Sequence, residues 1–295
     1  MNRRKFVQTA STVALLSTAG RVFVPAALAE PSAGNIRLGA QTNAWPIDPH
    51  NVDSLFSVLN QIKQVGYTGF ETGFFNLIQN FDAPQQTADR LAATGLDFIG
   101  IHIFLPPEKQ DQSTHLPPAS LYERVAHGGK SFGAKRLFFS GAPAPTEADV
   151  KRKVEALNTA GRYAKDAGLI FAYHNHWWEF QSKVNEIEAL YTQTDPSLVS
   201  FLLDAGHAYR GGANLPEFLR KHSQRIVALH LRDYKDGKQV PLGQGTLPLT
   251  EIAGTLRALR WSGWAINEEE REDGTKGGLS VIEPAYKALH GAFAV

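Results

Sequence analysis

Eight short apolar runs, about 30 residues apart and separated by helix-patterned segments, constrain the fold of this chain more than any other feature. They are "IRLGAQT" from Ile36, "GFETGFF" from Gly69, "LDFIGIHIF" from Leu96 and "KRLFFSG" from Lys135. Then come "LIFAYHNH" from Leu169, "VSFLLDAGH" from Val199, "IVALHLRDY" from Ile226 and "WAINEEE" from Trp264. Between them apolar residues recur at three- and four-residue spacing. "VDSLFSVLNQIKQVG" ends on Gly66, and a second such segment starts with a capping Thr146 and stops at Gly168. Strand followed by helix, repeated eight times without an intervening linker, predicts an α/β fold: a single (β/α)8 TIM barrel rather than an open doubly wound sheet. No GxGxxG follows the first run, so the usual mark of a dinucleotide site is missing.

The first 29 residues read as an export signal rather than as fold. Arg3 and Arg4 precede a mildly apolar run from Val13 to Leu16, and Ala27-Leu28-Ala29 supplies a small-residue cleavage site. The paired arginines resemble a twin-arginine signal, which implies the twin-arginine export machinery as a partner and the bacterial periplasm as destination. The run is too short and too interrupted to span a bilayer, so no membrane anchor is expected after processing. Residues 30–295 then form one barrel domain. Without Arg3, Arg4, Lys5 and Arg21, the chain's 30 basic residues fall to 26 against 29 acidic ones, a formal charge of −3. That balance argues against nucleic acid as a partner. There is no cysteine, and the only methionine is Met1. Thiolate catalysis, disulfides and cysteine-bound zinc are thereby excluded.

In a barrel of this kind, functional side chains sit at the C-terminal ends of the strands. The unusual polar residues fall there: Glu71 in the second run, His102 in the third, His174 and His176 in the fifth, Asp204 and His207 in the sixth, His230 and Arg232 in the seventh, Glu268 and Glu270 in the eighth. In the fifth, seventh and eighth runs the members of each pair are two apart and share one face of the strand. His174, Asp204, His230 and Glu268 end four successive strands. Two imidazoles and two carboxylates make a borderline donor set, suited to one divalent ion such as Mn2+, Co2+ or Zn2+. Asp204 could instead merely cap the helix that follows, and the acidic run around Glu268 could be solvated, a reading that is strongest for Glu269. Trp177 and Trp178 after the fifth strand, and Trp45 after the first, are candidate sugar platforms. Arg232 is a candidate for holding a substrate oxygen. The glycine runs "GGANL" and "LGQGTLPL" lack a phosphate-loop ending and read as turns.

The ordered set "ETG", "GIHIF", "YHNHWWEF", "LLDAGH", "LHLRDYK", "LGQG" and "INEEER" resembles the xylose isomerase-like TIM barrel superfamily. That superfamily includes sugar phosphate isomerases/epimerases, ketose 3-epimerases, inosose dehydratase and endonuclease IV relatives. The resemblance covers essentially all of residues 30–295. It implies that Asp204, His230 and Glu268 are metal ligands, that His207 holds the substrate, and that Glu179 contacts a sugar hydroxyl near the reacting carbon. His102, Glu71, Trp177, Trp178, Trp45 and Arg232 are then the candidate substrate contacts. His174 stands where the epimerases carry a glutamate ligand. A metal-bound imidazole is a poor base, so the symmetrical two-glutamate proton exchange of those enzymes is broken. Glu268, Glu179, His176 and His207 remain as candidate acid–base groups. The resemblance implies a metal-dependent isomerase or epimerase acting on a small carbohydrate, through proton abstraction beside a carbonyl and a metal-stabilised enediolate. A lyase or dehydratase working by β-elimination on a 3-keto-glycoside or inosose-like substrate is the alternative, and a non-catalytic periplasmic sugar-binding barrel is a third reading. A homodimer is compatible with all three.

Overall fold

The computed structural model describes residues 34–106, 109–111, 116–271 and 273–293; the expected leader at residues 1–29 lies outside them. Within them the chain forms β1 (Ile36–Gln41), β2 (Gly69–Gly73), β3 (Asp97–Ile103), β4 (Arg136–Ser140), β5 (Ile170–His174), β6 (Val199–Asp204) and β7 (Ile226–Leu231). A short antiparallel hairpin follows, β8 (Asp233–Lys235) and β9 (Lys238–Val240), and then β10 (Gly263–Asn267). The eight strands β1–β7 and β10 pair in parallel and close on themselves, with β1 between β2 and β10. All eight apolar runs are barrel strands, and the (β/α)8 expectation holds. The β8–β9 hairpin is an addition that the run pattern did not announce.

Helices fill the crossovers: α1 (Val52–Val65), α2 (Gln85–Thr94), α3 (Ala119–Ser131), α4 (Glu147–Asp166), α5 (Glu186–Gln193), α6 (Ala205–Arg210), α7 (Leu215–His222), α8 (Leu249–Ala258) and α9 (Leu279–Phe293). Their ends follow local chemistry. Thr146 and Asp149 form a reciprocal capping box at the start of α4, and α1 stops at Gly66, whose φ of 116° no residue with a Cβ adopts readily. Val150, Val154, Leu157, Ala160 and Ala164 form the stripe that α4 lays against the sheet. No described helix is long and apolar enough to cross a membrane.

Two layers of apolar residues follow from this geometry: one between strands and helices, and one inside the barrel. The inner one is built from Ile99, Phe138, Ala172, Leu202, Ala228, Trp264 and Ile266. Trp264 sits here because β2 offers no side chain at Gly69, where a Cβ would stand 2.6 Å from the indole. The β2–β3 pairing skips Ile99, so that Glu71 lies beside Gly100 and Gly73 beside His102. Such a bulge re-aims the residues beyond it. Continuing two residues along the inner face from this plug, or three in β3 past the bulge, brings the strands to polar side chains, including Gln41, Glu71, His102, Ser140, His174, Asp204 and His230.

Candidate metal centre

His174, Asp204, His230 and Glu268 each place one ligand-type atom so that all four lie within 4.8 Å of one another, and all four side chains are buried. The separations are those of a set facing one point: His174 Nε2 is 3.3 Å from Asp204 Oδ2 and 3.6 Å from Glu268 Oε2. His230 Nδ1 touches Glu268 Oε2, yet neither atom has a hydrogen-bond partner in good alignment, and His174 Nε2 has none either. Buried donors and acceptors are normally satisfied. Two imidazole nitrogens without a hydrogen bond, facing carboxylate oxygens from neighbouring strands in a set of two nitrogens and two oxygens, fit a divalent ion.

A second ring of contacts holds these four in place. His230 Nε2 lies 2.6 Å from Glu71 Oε2, and the other oxygen of Glu71 lies 2.7 Å from His102 Nδ1. His102 Nε2 in turn meets Ser140 Oγ at 2.7 Å. A carboxylate behind a ligating imidazole fixes its ring and raises its basicity. Burial alone would lower His230, but Glu268 and Glu71 carry it up to about 10. Arg232 reaches over the cluster, donating from Nε to Asp204 Oδ2 at 2.7 Å and pairing with Glu268 through Nη2. Burial would raise both carboxyls; instead Arg232, with His207 for Asp204 and His230 for Glu268, holds them far below the usual carboxylate range. Both acids are thus ionised and ready to take a cation.

Above the cluster opens a cavity of about 430 Å³. His102, His174, His176, Trp177, Trp178, His207, Arg232 and Glu268 line it. Burial drops His207 to about 3 and lowers His176 well below its ordinary value, so both are neutral imidazoles at neutral pH. His207 Nδ1 lies 3.2 Å from the Tyr234 hydroxyl, and His176 stacks on Trp178 with centroids 4.0 Å apart.

Three residues singled out from the sequence stand elsewhere. Glu71 is wholly buried beneath the cluster, as support for His230 rather than as a cavity wall. Trp45 is buried in the outer layer, its Nε1 donating to Gln61 Oε1 at 2.9 Å. Glu179 lies behind the wall. It accepts from the Tyr173 hydroxyl at 2.6 Å and from the His176 backbone N–H at 2.8 Å, with Lys153 Nζ 3.7 Å away. Lys153 itself donates to Glu186 at 2.6 Å and to the Ala142 carbonyl at 2.8 Å. Burial raises Glu179 above its ordinary value despite the attraction of Lys153. Glu269, read as part of a solvated acidic run, is also buried: Leu242 N–H donates to it at 3.0 Å, and burial pushes it up to about 7.

Other cavity residues went unnamed in the sequence reading. Gln41 and Ser140 end β1 and β4, so the strand-end rule applied more strictly finds both. Phe75 and Phe104 also line the cavity, two residues beyond Gly73 and His102. Tyr234 and Gln239 come from the β8–β9 hairpin. That hairpin is anchored by Asp233, whose carboxylate accepts from the backbone N–H groups of Tyr234, Gly243, Gly245 and Leu247 at 2.8–3.0 Å.

Comparison with known proteins gives this barrel its relatives. Inosose dehydratase from Bacillus licheniformis is 30% identical over 159 residues, which are 48% of this chain and 53% of that protein. The chain thus spans about half the length of the curated relatives it matches. Among solved structures, a sugar phosphate isomerase/epimerase from Parabacteroides distasonis superposes with a TM-score of 0.69 at 21% identity, covering 86% of this chain and 97% of that one. The apo 3-keto-D-glucoside 4-epimerase of E. coli superposes with a TM-score of 0.65 at 17% identity, covering 88% of this chain and all of its own. At such identities these two speak for the fold alone. Residues 59–285, most of the closed barrel and all four residues of the cluster, match the xylose isomerase-like TIM barrel family, and the chain belongs to that family.

Proposed function

We propose that this protein is a metal-dependent isomerase or epimerase of keto sugars that removes the proton beside a carbonyl. The observation that carries the proposal is the convergence of His174, Asp204, His230 and Glu268 within 4.8 Å at the floor of the cavity. A divalent ion held there (Mn2+, Co2+ or Zn2+) supplies Lewis-acid polarisation of a substrate carbonyl. Glu268 is the buried carboxylate that lines the cavity, and Arg232 keeps it ionised, so it is our candidate for the proton acceptor. His176 and His207 are neutral and bond sugar hydroxyls without adding charge. Trp177 and Trp178 offer faces for the sugar ring. Glu179 holds the segment carrying His176 from behind, and Glu71 and His102 hold His230.

One observation favours β-elimination as a second reading. With His174 in the ligand set and Asp204 tied to Arg232 and the α6 cap, Glu268 is the one carboxylate of the four-residue floor that lines the cavity, which suits one-sided proton removal followed by loss of a β-oxygen. Proton NMR of the Mn2+-loaded protein with a 3-keto-glucoside in D2O separates the two. Deuterium entering beside the ketone with the glycoside intact supports isomerase or epimerase chemistry; release of the aglycone with an enone signal supports the lyase. Either activity should vanish in Glu268→Gln, and no exchange with any keto sugar would sink both.

We also propose that the chain is exported folded by the twin-arginine route into the periplasm, on the strength of residues 3–29. Replacing Arg3 and Arg4 together by Lys should leave uncleaved precursor in the cytoplasm; cleavage and export at the native rate would refute it.

A further inference from the structure

The rim of the cavity is two-faced. Over α6, the β8–β9 hairpin and the segment after β10 it is polar and charged, with Arg210, Tyr234, Gln239, Glu270 and Arg271. Over the neighbouring strands β2 and β3 it is apolar, formed by Phe75 and Phe104. Among the described residues four large hydrophobic side chains are exposed, and two of the four are these phenylalanines, at 42% and 55% of their surface. Their position is not an accident of loop length. Phe75 lies over Gly73, where a Cβ would stand 2.7 Å from its ring, and its edge meets Phe74 with centroids 5.9 Å apart. Phe75 is therefore packed from below and open above. An exposed pair of rings beside a polar floor marks a ligand groove rather than ordinary surface.

We infer that this half of the rim is a subsite for an apolar, aryl-type substituent carried by the sugar. The inference rests on the keto-sugar reading of the floor. A sugar unit on the His174–Glu268 floor presents its hydroxyls to the neutral imidazoles and to the charged rim. Nothing in such a unit calls for two bare phenyl faces on the opposite side. The volume of about 430 Å³ falls in the range that takes drug-sized ligands, which leaves room above the floor for a second, apolar ring. An aryl group placed against Phe75 and Phe104 removes their exposed surface from water and gains offset or edge-on ring contact.

Calorimetric titration of the Mn2+-loaded full chain with the phenyl and methyl glycosides of one 3-keto-glucose tests this. The phenyl compound should bind about tenfold more tightly or better. Phe104→Ala, and more so Phe75→Ala with Phe104→Ala, should bring it down to the methyl compound while leaving the methyl affinity unchanged. Equal affinity for the two glycosides in the unaltered protein would overturn the subsite and leave the keto-sugar reading standing. So would an equal loss for both in the variants, since that would make the rings mere scaffolding. Binding of neither glycoside, with intact folding by circular dichroism, would overturn the keto-sugar reading and the subsite with it.

Discussion

The backbone N–H of His207 donates to Asp204 Oδ1 at 2.7 Å, while Oδ2 of the same carboxylate faces His174 Nε2 at 3.3 Å. One side chain thus caps α6 and serves the polar cluster, so the capping role and the ligand role are not alternatives. The cap fixes the rotation of the carboxyl and with it the direction of Oδ2.

Substitution should separate the two roles. In Asp204→Asn the amide oxygen can still cap α6, whereas Asp204→Ala loses the cap as well, and Ala should be the less stable of the two by about 1 kcal/mol. Both should bind Mn2+ at least about tenfold more weakly than the unaltered protein. Equilibrium dialysis and urea unfolding read the two effects; Mn2+ affinity unchanged in both variants would remove Asp204 from the ligand set.

Glu71 touches the cluster only through His230. Glu71→Gln keeps the shape but weakens the hold on the ring, so Mn2+ affinity should fall by about 10–100-fold, with the cavity otherwise intact. A native affinity would mean that His230 is oriented by packing alone.

Lys153 is buried between Glu179 and Glu186, so Lys153→Met leaves two buried carboxyls without their cation. The expected loss is about 3–5 kcal/mol in urea unfolding. It should also depend on pH. Glu179 is already raised above its ordinary 4.5 by burial, and losing Lys153 raises it further. A carboxyl raised in the folded state favours folding below its unfolded pKa and costs stability as pH climbs past it. The deficit of the variant should therefore deepen as pH rises above the ordinary 4.5 of a glutamate; a deficit that stays flat on that rise would contradict the coupling.

Asp233 accepts four backbone N–H groups, and in Asp233→Asn half of its acceptor capacity becomes a donor. Each N–H left unpaired costs about 1 kcal/mol or more, and the segment from 236 to 247 should open. Hydrogen exchange at Gly243, Gly245 and Leu247 should rise well above that of the barrel strands. Protection equal to the unaltered protein would show that Asp233 does not anchor the hairpin.

Strand ends were the most legible part of this sequence. A period of two along a buried strand fixes which residues face inward, and closure of the barrel brings those faces together whatever the loops do. His174, Asp204, His230 and Glu268 were among the residues that rule picked out, and their donor chemistry then grouped them. Phe75 and Phe104 lie just past the ends of β2 and β3, outside the strands that rule covers, where an apolar residue is easily read as loop packing. Lys153 carried a signal as well, standing on the stripe of Val150, Val154 and Leu157, where a lysine has no solvent to reach. Glu179 and Glu269 did not. Their burial depends on segments that arrive from elsewhere: α4 bringing Lys153 behind Glu179, and the stretch after β9 closing over Glu269 from 27 residues away. Local periodicity has no term for such arrivals.

The indole of Trp264, wedged against the backbone of β1 and β2, stoppers the barrel from below. Among the described residues the cluster is therefore closed below and opens to the cavity above. On the function proposed above, traffic through it would be sequential: an ion would settle first and a sugar on top, and the ion would not exchange until the sugar had gone. Radiotracer exchange of bound ion should accordingly stall when a tight-binding sugar analogue is present.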